Sequence, residues 1–288
     1  MHDVKQLTVI SGKGGTGKTT ITAMFSYLAK NAVIADGDVD APNLHLLLNP
    51  VVLEEFPFYG MKKARIDNEL CTECGLCYDL CRFDAIYVNE EYHVDDIKCE
   101  GCAVCYNACP VEAVEMTNPR IGKVFSSKTD YGRMVHATLN PGEENSGKLV
   151  SEVREKAKDV AKEVGSDLLI LDGAPGIGCQ VIASLSMSSM ALIVTEPTIS
   201  GLKDANRVHE LTKYFGIKSG MVINKYDLNE DMADRIEDYC ADNDIEFMGK
   251  IPFDPHLHSQ ISQLEFPFKG KAADKMEKIW ERIEHILK

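Results

Sequence analysis

Basic residues are scarce in this chain of 288 residues, which has 31 Lys and Arg against 45 Asp and Glu and a net charge of −14. Non-specific binding to DNA or RNA needs a basic surface that neutralises phosphate groups. The acidic balance therefore argues against broad nucleic-acid binding, and we expect no nucleic-acid partner.

Extended apolar segments are also missing. No apolar run approaches the roughly 20 residues that cross a bilayer. The opening residues, MHDVKQLTVI, have neither the basic region nor the apolar region of a signal peptide. We therefore expect no membrane anchor and a cytoplasmic location. Hydrophobic residues still make up 44% of the chain, which is enough for a full core in one large or two modest domains.

Cysteine is rare outside one short region. Eight of the ten cysteines lie between Cys71 and Cys109, and only Cys179 and Cys240 lie elsewhere. Such a cluster in a cytosolic protein indicates metal or redox chemistry rather than disulfides.

The eight clustered cysteines form two copies of one pattern, C-x-x-C-x-x-C-x-x-x-C, offset by 28 residues. This spacing is typical of bacterial ferredoxins with two [4Fe–4S] clusters, in which three cysteines of one copy and the fourth of the other hold each cluster. A zinc ribbon would have only two C-x-x-C pairs. Arg82 stands where a proline usually follows the fourth cysteine. The predicted ligand sets are Cys71, Cys74, Cys77 and Cys109 for one cluster, and Cys99, Cys102, Cys105 and Cys81 for the other.

The segment Ser11–Thr20, SGKGGTGKTT, has the spacing of a phosphate-binding loop. It lies between a predicted strand, Leu7–Ile10, and a predicted helix that opens with Ile21–Ala29, which is the context that such a loop requires. Its backbone N–H groups and the helix N-terminus would bind phosphates. We predict that Lys18 reaches the β- and γ-phosphates and that Thr19 holds Mg²⁺.

Further short apolar segments end in acidic or amide side chains, which is typical of parallel strands with ligands at their carboxyl ends. The segment Asp36–Asn43 either supplies a Mg²⁺ shell or a base for water, or is a turn rich in Asp and Asn. The nearby phosphate loop favours the first interpretation. We predict that Asp172 holds Mg²⁺ through water and that Asn224 reads a nucleobase edge. The predicted strands are Ala32–Ala35, Asp167–Asp172, Met190–Glu196, Gly220–Asn224 and Phe247–Ile251.

These patterns predict an α/β fold, a P-loop NTPase with a mostly parallel sheet and a small α+β ferredoxin insert. The nucleotide domain is expected at residues 1–52 and 126–288, and the insert at residues 53–125 with its core at about 65–118. That core has 12 acidic and 3 basic residues, a charge that suits docking onto a basic redox partner or simply adds solubility.

Three other segments are less informative. Ser126–Asn145 is polar and predicts no element. Ser146-Gly147-Lys148 could contact an anion, although it more often belongs to helix-entry chemistry before the predicted helix Leu149–Val164. The terminal helix Lys271–Lys288 has one apolar face, and the mixed charges of its other face favour packing on the sheet over anchoring at a membrane.

One residue makes the phosphate loop unusual, because Lys13 directly follows Gly12. The loop resembles the deviant phosphate loop of the MinD/ParA superfamily, which includes the nitrogenase iron protein and the ATPase carriers of iron–sulfur clusters. The chain most resembles a branch of these ATPases with an inserted ferredoxin domain. Matching segments beyond the loop are Asp36-Gly37-Asp38, Asp172–Gly176, Thr195–Thr198 and Asn224-Lys225.

The resemblance implies an ATPase that converts ATP and water to ADP and phosphate, slowly without a partner, as a homodimer with ATP at its interface. Lys13 and Lys18 would be catalytic, with Lys13 reaching the partner's phosphates, and Asp38 would orient or activate the attacking water. The implied cofactors are ATP or ADP, Mg²⁺ and two [4Fe–4S] clusters. The implied nucleotide-binding residues are Gly12, Lys13, Gly14, Gly15, Thr16, Gly17, Lys18, Thr19, Thr20 and Asn224.

Three functions compete: ATP-gated electron transfer, iron–sulfur cluster carriage or assembly, and spatial regulation of the MinD or ParA kind with clusters as redox sensors. The carriers hold a transferable cluster through a C-terminal C-x-x-C, and no such pair occurs here. The regulators usually have a membrane helix or a basic DNA-binding surface, and neither is evident. We therefore favour electron transfer to or from an unidentified redox or iron–sulfur protein.

Cys179 follows Asp172 by seven residues. This spacing is similar to that of an interface cluster ligand in the nitrogenase iron protein. One hypothesis is that two copies of Cys179 form a bridging redox site in a dimer. The alternative is a small apolar side chain that packs at a helix start.

Overall fold

The computed structural model describes residues 4–143 and 147–288, so Ser146 lies outside the described residues. The chain divides into two compact units, one of Met1–Phe56 with Lys123–Lys288 and the other of Pro57–Gly122. The strands are β1 (Lys5–Ser11), β2 (Val33–Asp36), β3 (Val51–Tyr59), β4 (Lys63–Ile66), β5 (Ile86–Asn89), β6 (Glu91–Val94), β7 (Val114–Thr117), β8 (Arg120–Thr129), β9 (Gly132–Leu139), β10 (Leu168–Pro175), β11 (Met190–Thr195), β12 (Lys218–Asn224) and β13 (Glu246–Ile251). The helices are α1 (Lys18–Leu28), α2 (Leu44–Leu48), α3 (Leu76–Asp79), α4 (Val104–Ala108), α5 (Gly147–Val164), α6 (Cys179–Leu185), α7 (Ile199–Tyr214), α8 (Glu230–Asp242), α9 (Pro255–Ser262) and α10 (Lys271–Leu287).

A large sheet forms the centre of the first unit. In the described part of the chain it has nine strands in the order β13–β12–β11–β1–β10–β2–β9–β8–β3. Each neighbouring pair from β13 to β9 is parallel. The central strands are buried on both faces, which explains their nearly continuous apolar sequences. The predicted α/β fold with a mostly parallel sheet is confirmed.

Two hydrophobic cores lie on the two faces of this sheet. Helices α1 and α10 contribute to one core, and α6, α7 and α8 contribute to the other. The rings of Phe25 and Trp280 lie 5.2 Å apart between α1 and α10. The apolar face of α10, with Ile279 and Ile283, is buried as predicted, so it is not available to a membrane. Among the described helices, none combines the length and the apolar character needed to span a bilayer.

The parallel strands bring distant polar residues to one edge of the sheet. Asp172 of β10 lies opposite Asp36 of β2 and opposite Val9 of β1. Asn224 ends β12, and Thr195 ends the adjacent β11. The carboxyl ends of neighbouring parallel strands therefore form the candidate site at the edge where β1 leads into the phosphate loop.

Two segments differ from the predictions. The strand predicted at Asp167–Asp172 ends later than predicted, because β10 continues to Pro175, which pairs with Ser11 of β1. The segment 126–145, for which no element was predicted, contains the end of β8 and all of β9. Ser126 and Ser127 are buried there, and Arg133 donates a 2.7 Å hydrogen bond to the Ser126 hydroxyl. Buried polar residues thus hide the alternation that normally indicates a strand.

The second unit is small and has little apolar interior. Two antiparallel pairs, β4 with β7 and β5 with β6, accompany the short helices α3 and α4. Its core consists of Ala64, Ala85, Cys99 and Val114. A core of this size stabilises a fold weakly, and natural domains of this size commonly add disulfides or metals.

Candidate nucleotide site and cysteine-lined cavities

The phosphate loop is held open by its own backbone and by β12. Gly17 precedes α1 in the left-handed conformation, with φ of 90°. A Cβ at this position would lie 2.3 Å from Nδ2 of Asn224, so only glycine fits. The same Asn224 amide donates a 2.8 Å hydrogen bond to the Thr16 carbonyl. Asn224, predicted to read a base, therefore also supports the loop.

Asp172 binds three side chains of the loop and of α1. It accepts hydrogen bonds from Lys18 Nζ at 2.8 Å, from Thr19 Oγ1 at 2.7 Å and from Thr22 Oγ1 at 3.0 Å. Burial lowers the pKa of Lys18, but Asp172 and its acidic neighbours raise it more, so the net shift is upward. The ammonium group therefore stays charged, and the oxygen atoms of Thr19 and Asp172 are of the type that Mg²⁺ prefers.

Asp36, the last residue of β2, and Asp38 of the loop that follows complete this edge. Asp36 is fully buried and accepts hydrogen bonds from the backbone N–H groups of Asp38 and Leu44. Burial and the Asp172 charge raise the pKa of Asp36 to about 8. Asp38 lies 3.6 Å from Lys18 Nζ, and burial raises its pKa although Lys18 opposes the shift. A raised pKa makes the Asp38 carboxylate a stronger proton acceptor than an ordinary Asp.

Lys13 pairs with an acid of its own chain. Its Nζ lies 3.3 Å from Oε2 of Glu196, and Lys225 Nζ lies 2.8 Å from Oε1 of the same carboxylate. Burial alone would raise the pKa of Glu196, but the two lysines together lower it. Glu196 belongs to a motif that the sequence brought out, yet no role was predicted for it. Its position directly after β11, beside Asn224, was the available signal.

A cavity of about 260 Å³ adjoins the loop. Apolar side chains form much of its wall, and Asn224 and Lys225 add polar groups, a combination that suits a flat aromatic base. Sequence reasoning missed the apolar wall, although Pro252-Phe253-Asp254 follows a predicted strand. The apolar lining residues are Pro252, Phe253, Leu257, Ile261 and Met276.

The loop fits a phosphate group in two further respects. Thr16 Oγ1 is buried and, within the described residues, has no hydrogen-bond partner. Around Gly14 and Gly15, no atom lies within 4 Å of where a Cβ would be. A phosphate oxygen would provide the missing acceptor and occupy open space.

Each predicted cysteine set surrounds its own cavity. We call the set of Cys71, Cys74, Cys77 and Cys109 the first quartet, and it lines a small cavity of about 20 Å³. The second quartet consists of Cys99, Cys102, Cys105 and Cys81, and it also lines a cavity of about 20 Å³. Across residues 4–143 and 147–288, no three or more His, Cys, Asp or Glu side chains are arranged to hold one metal ion. A single Zn²⁺ ion needs its ligand sulfurs about 2.3 Å from one point, and the described side chains show no such convergence.

The two cysteine segments repeat their backbone structure as well as their sequence. The Cys71 N–H donates to Asp67 O and the Cys99 N–H to Asp95 O, both at 3.0 Å. Likewise, the N–H of Ala85 donates to Cys81 Sγ at 3.4 Å and that of Ala113 to Cys109 Sγ at 3.2 Å. Each pair of bonds is related by the 28-residue offset.

The donor set fits an iron–sulfur cluster. N–H donors aimed at sulfur stabilise thiolates and tune such clusters. Burial, the main cause, raises the pKa of the Cys77 and Cys105 thiols, and neighbouring cysteines add to it. Both thiols therefore need a nearby cation to become thiolates, and bound iron would supply it.

The two remaining cysteines have different surroundings. Cys179 is exposed and is the first residue of α6. Cys240 is buried on α8 with its Sγ 3.6 Å from Met221 Sδ, and burial raises its pKa to about 12. Cys240 is thus an inert core residue, while the bridging role of Cys179 stays a prediction.

Comparisons with known proteins point to the same nucleotide site. Residues 7–268 match the family described as "CobQ/CobB/MinD/ParA nucleotide binding domain". An uncharacterized protein of Methanocaldococcus jannaschii is 29% identical over 99% of this chain and 98% of its own length. A putative septum site-determining protein MinD of Chlorella vulgaris is 24% identical over 85% of this chain and 69% of its own length. The septum site-determining protein MinD of Pyrococcus horikoshii, solved with Mg-ADP, shares the fold with a TM-score of 0.59 at 19% identity, covering 98% of this chain and 96% of that one.

Proposed function

The chain belongs to the CobQ/CobB/MinD/ParA nucleotide-binding family, and from this premise we propose that it is an ATP-hydrolysing, homodimeric iron–sulfur protein. In this proposal, nucleotide-dependent closure of the dimer controls electron transfer. The observation that carries the iron–sulfur half is the crossed lining of the two cavities, each with three cysteines of one repeat and the fourth of the other. That arrangement matches the ligand sets of two-cluster ferredoxins.

The nucleotide half of the proposal uses residues at the carboxyl edge of the sheet. Lys18 would exchange its contacts with Asp172 and Asp38 for the phosphates of ATP, since its ammonium is charged and buried. Thr19 and Asp172 would hold Mg²⁺, and the apolar cavity beside Asn224 would bind the base. Asp38, freed from Lys18, would then orient or deprotonate the attacking water.

The iron–sulfur half of the proposal uses the eight cysteines of the two quartets. The eight thiols would bind two clusters, each of which supplies one-electron chemistry when bound. The N–H groups of Ala85 and Ala113 would stabilise the fourth sulfur of each set. Burial of Cys99 would keep water from one side of the second quartet.

Dimer closure depends on Lys13 in this proposal. The resemblance implies that this lysine reaches the phosphates bound to a second copy, whereas here it pairs with Glu196. The pair is about one-third exposed on the lysine side, and exposed ion pairs are worth only about 0–1 kcal/mol. ATP at a dimer interface would therefore displace Glu196 at small cost.

The test is anaerobic reconstitution of the full chain with iron and sulfide, followed by metal analysis and electron paramagnetic resonance with and without ATP. We expect about eight iron and eight sulfide per chain, and a reduction potential or reduction rate that changes when ATP binds. A matched Lys18→Ala variant should keep its iron but lose the ATP response. A chain that binds no iron would overturn the iron–sulfur proposal.

A second candidate, spatial regulation with redox-sensing clusters, is favoured by the relatives that are called septum site-determining proteins. It predicts that ATP drives binding to a scaffold or membrane, while the reduction potentials of the clusters do not change when ATP binds. Transfer of a cluster to an apo-protein, with cluster reduction potentials that do not change when ATP binds, would instead indicate a cluster carrier. The same reconstituted protein distinguishes all three.

A further inference from the structure

We propose that the two cysteine quartets have unequal reduction potentials, and that Lys63 makes the second quartet the site that is reduced first. This inference rests on the proposed iron–sulfur function. It arises from a charge reversal between two positions that the internal repeat makes equivalent.

The equivalent positions are Lys63 and Glu91. They are related by the 28-residue offset, and each begins a strand, β4 and β6 respectively. The structure thus puts opposite charges at the same place in the two halves of one repeat.

Lys63 is tied to the second quartet by two hydrogen bonds. Its Nζ donates to the carbonyl oxygen of Cys99 at 2.9 Å and to that of Asp96 at 2.6 Å. Cys99 is buried, with 9% of its surface exposed. The ammonium charge is therefore held close to a buried ligand, and because Lys63 is itself only partly exposed, solvent screens its charge in part. A positive charge stabilises the reduced and more negative form of a bound cluster, which raises its potential.

Glu91 places a negative charge near the first quartet. Its Oε2 accepts a 2.9 Å hydrogen bond from Nδ2 of Asn68. Asn68 is the repeat equivalent of Asp96 and stands three residues before Cys71. The carboxylate thus lies beside the segment that leads into the first quartet, where its charge opposes reduction.

Three further differences help to decide the sign. Arg82 follows Cys81 of the second quartet, while neutral Pro110 occupies the equivalent place after Cys109 of the first. Glu100 and Asp96 act in the opposite direction, because Glu100 lines the second cavity where Thr72 lines the first, and Asp96 stands where the first copy has the neutral Asn68. Both acids are exposed, so water screens their charges more than that of the hydrogen-bonded, partly buried Lys63. The balance leaves the second quartet with the higher potential.

The test is a potentiometric titration of the reconstituted full chain, followed by electron paramagnetic resonance. Two midpoints are expected. Cys74→Ser and Cys102→Ser, which perturb one quartet each, assign them, and the higher should belong to the second quartet. Lys63→Gln, which keeps a hydrogen-bond donor but loses the charge, should weaken reduction of the second quartet about tenfold, which is about 59 mV for one electron.

Matched variants at Lys63 and Glu91 distinguish an effect of charge on the midpoint potentials from a structural disturbance of the quartets. Lys63→Arg should keep the wild-type midpoints, and Glu91→Gln should raise only the lower one. The double exchange of Lys63→Glu with Glu91→Lys should bring the midpoints together or reverse their order, with iron content unchanged. Two results would overturn this inference and leave the proposed function intact. One is equal midpoint potentials in the wild type, and the other is midpoint potentials that Lys63→Gln does not change in an iron-loaded chain. A chain that binds no iron overturns both.

Discussion

At the scale of single residues, the contact between Lys13 and Glu196 would link the nucleotide site to dimer formation in the proposed function. Glu196 holds Lys13 and Lys225 at once, so its carboxylate competes with phosphate for Lys13. The competition is weak because the pair is partly exposed. It nevertheless acts on both copies of a dimer, and its effect on association would therefore be doubled.

Removal of this competing charge should favour the dimer. Glu196→Gln is expected to tighten ATP-dependent dimerisation by up to about 30-fold, since each of the two released Lys13 side chains gains up to about 1 kcal/mol. Lys13→Ala should abolish the ATP-dependent dimer while both quartets keep their iron. Sedimentation velocity with and without ATP measures both. The control is Glu237→Gln, which breaks a surface pair with Lys250, and weaker association in Glu196→Gln would contradict the expectation.

Asp38 can be tested against its neighbour Asp40 in the same loop. Asp38→Asn should slow ATP hydrolysis about 100-fold or more, because it removes a general base, while ATP binding is retained. Asp40→Asn should retain hydrolysis, since Asp40 contacts Gln180 rather than Lys18. Steady-state phosphate release and ATP binding, measured side by side, would separate the two residues. Equal rates in both variants would exclude Asp38 as the base.

At the scale of elements, the second unit depends on Gly101 more than on Gly75, the other glycine between cysteines of a quartet. Gly101 has φ of 64°, and a Cβ there would lie 2.0 Å from the Lys62 carbonyl oxygen. Gly75 also has positive φ, but its repeat equivalent is Ala103, which already adopts φ of 60°. The two glycines therefore differ in tolerance although both lie between cysteines of their quartets.

This difference gives a paired prediction. Gly101→Ala should displace the segment around Lys62 and remove about half of the bound iron, because only the second quartet is disrupted. Gly75→Ala should keep full iron content and lower the free energy of unfolding by about 1–2 kcal/mol, a typical cost for a left-handed alanine. Iron analysis after reconstitution measures both. Full iron content in Gly101→Ala would show that the backbone relaxes around the new methyl group.

The hairpin of β8 and β9 has an acid-sensitive histidine. His136 stacks on Phe125 with ring centroids 5.0 Å apart, and its Nε2 lies 3.1 Å from Ser127 Oγ. Burial, with a smaller contribution from His45, lowers the pKa of His136 to about 4. An unfolded histidine has a pKa of about 6.5, so between these values the unfolded chain binds more protons than the folded one. Stability contributed by neutral His136 is therefore lost as pH falls from about 6.5 to 4.

We expect the free energy of unfolding of the first unit to fall by about 2 kcal/mol between pH 7 and pH 4.5 through this residue. His136→Gln, which has no charge to gain, should flatten that part of the pH dependence. Urea unfolding followed by fluorescence of Trp280, the single tryptophan, reports on this unit. Exposed His285 provides the control through His285→Gln, and an unchanged slope in His136→Gln would contradict the assignment.

At the scale of the whole molecule, the residues of the two sites fall in different compact units. Every residue proposed for the nucleotide site lies in Met1–Phe56 or Lys123–Lys288, and both quartets lie in Pro57–Gly122. Loading of one site should therefore be independent of the other. The double variant Cys74→Ser with Cys102→Ser should bind ATP within about twofold of the wild type, as additivity predicts for separate sites. Calorimetric titration measures this, and loss of ATP binding would show that the units depend on one another to fold.

Much of the candidate site could be predicted from contiguous sequence because its geometry is local. A loop of fixed spacing between strand and helix has few conformations, so Gly12–Thr20 predicts a phosphate site directly. The cysteine spacing, together with the crossed ligand pattern of two-cluster ferredoxins, likewise predicted which cysteines share a cavity. The apolar periodicity of α10 predicted its buried face.

Residues that meet through the strand order were beyond such reasoning. The pairing of Lys13 with Glu196 requires β11 to lie beside β1, and the apolar wall at Leu257 and Met276 requires α9 and α10 to return to the loop. The contact of Lys63 with the Cys99 carbonyl joins residues 36 positions apart. The chain's local patterns thus determine an ATP loop and two cysteine quartets, since short-range sterics and repeats specify them. Long-range packing decides three other features: the contact of Glu196 with Lys13, the apolar cavity beside Asn224, and the charges of Lys63 and Glu91 near the quartets. Only the assembled sheet and repeat bring these side chains together.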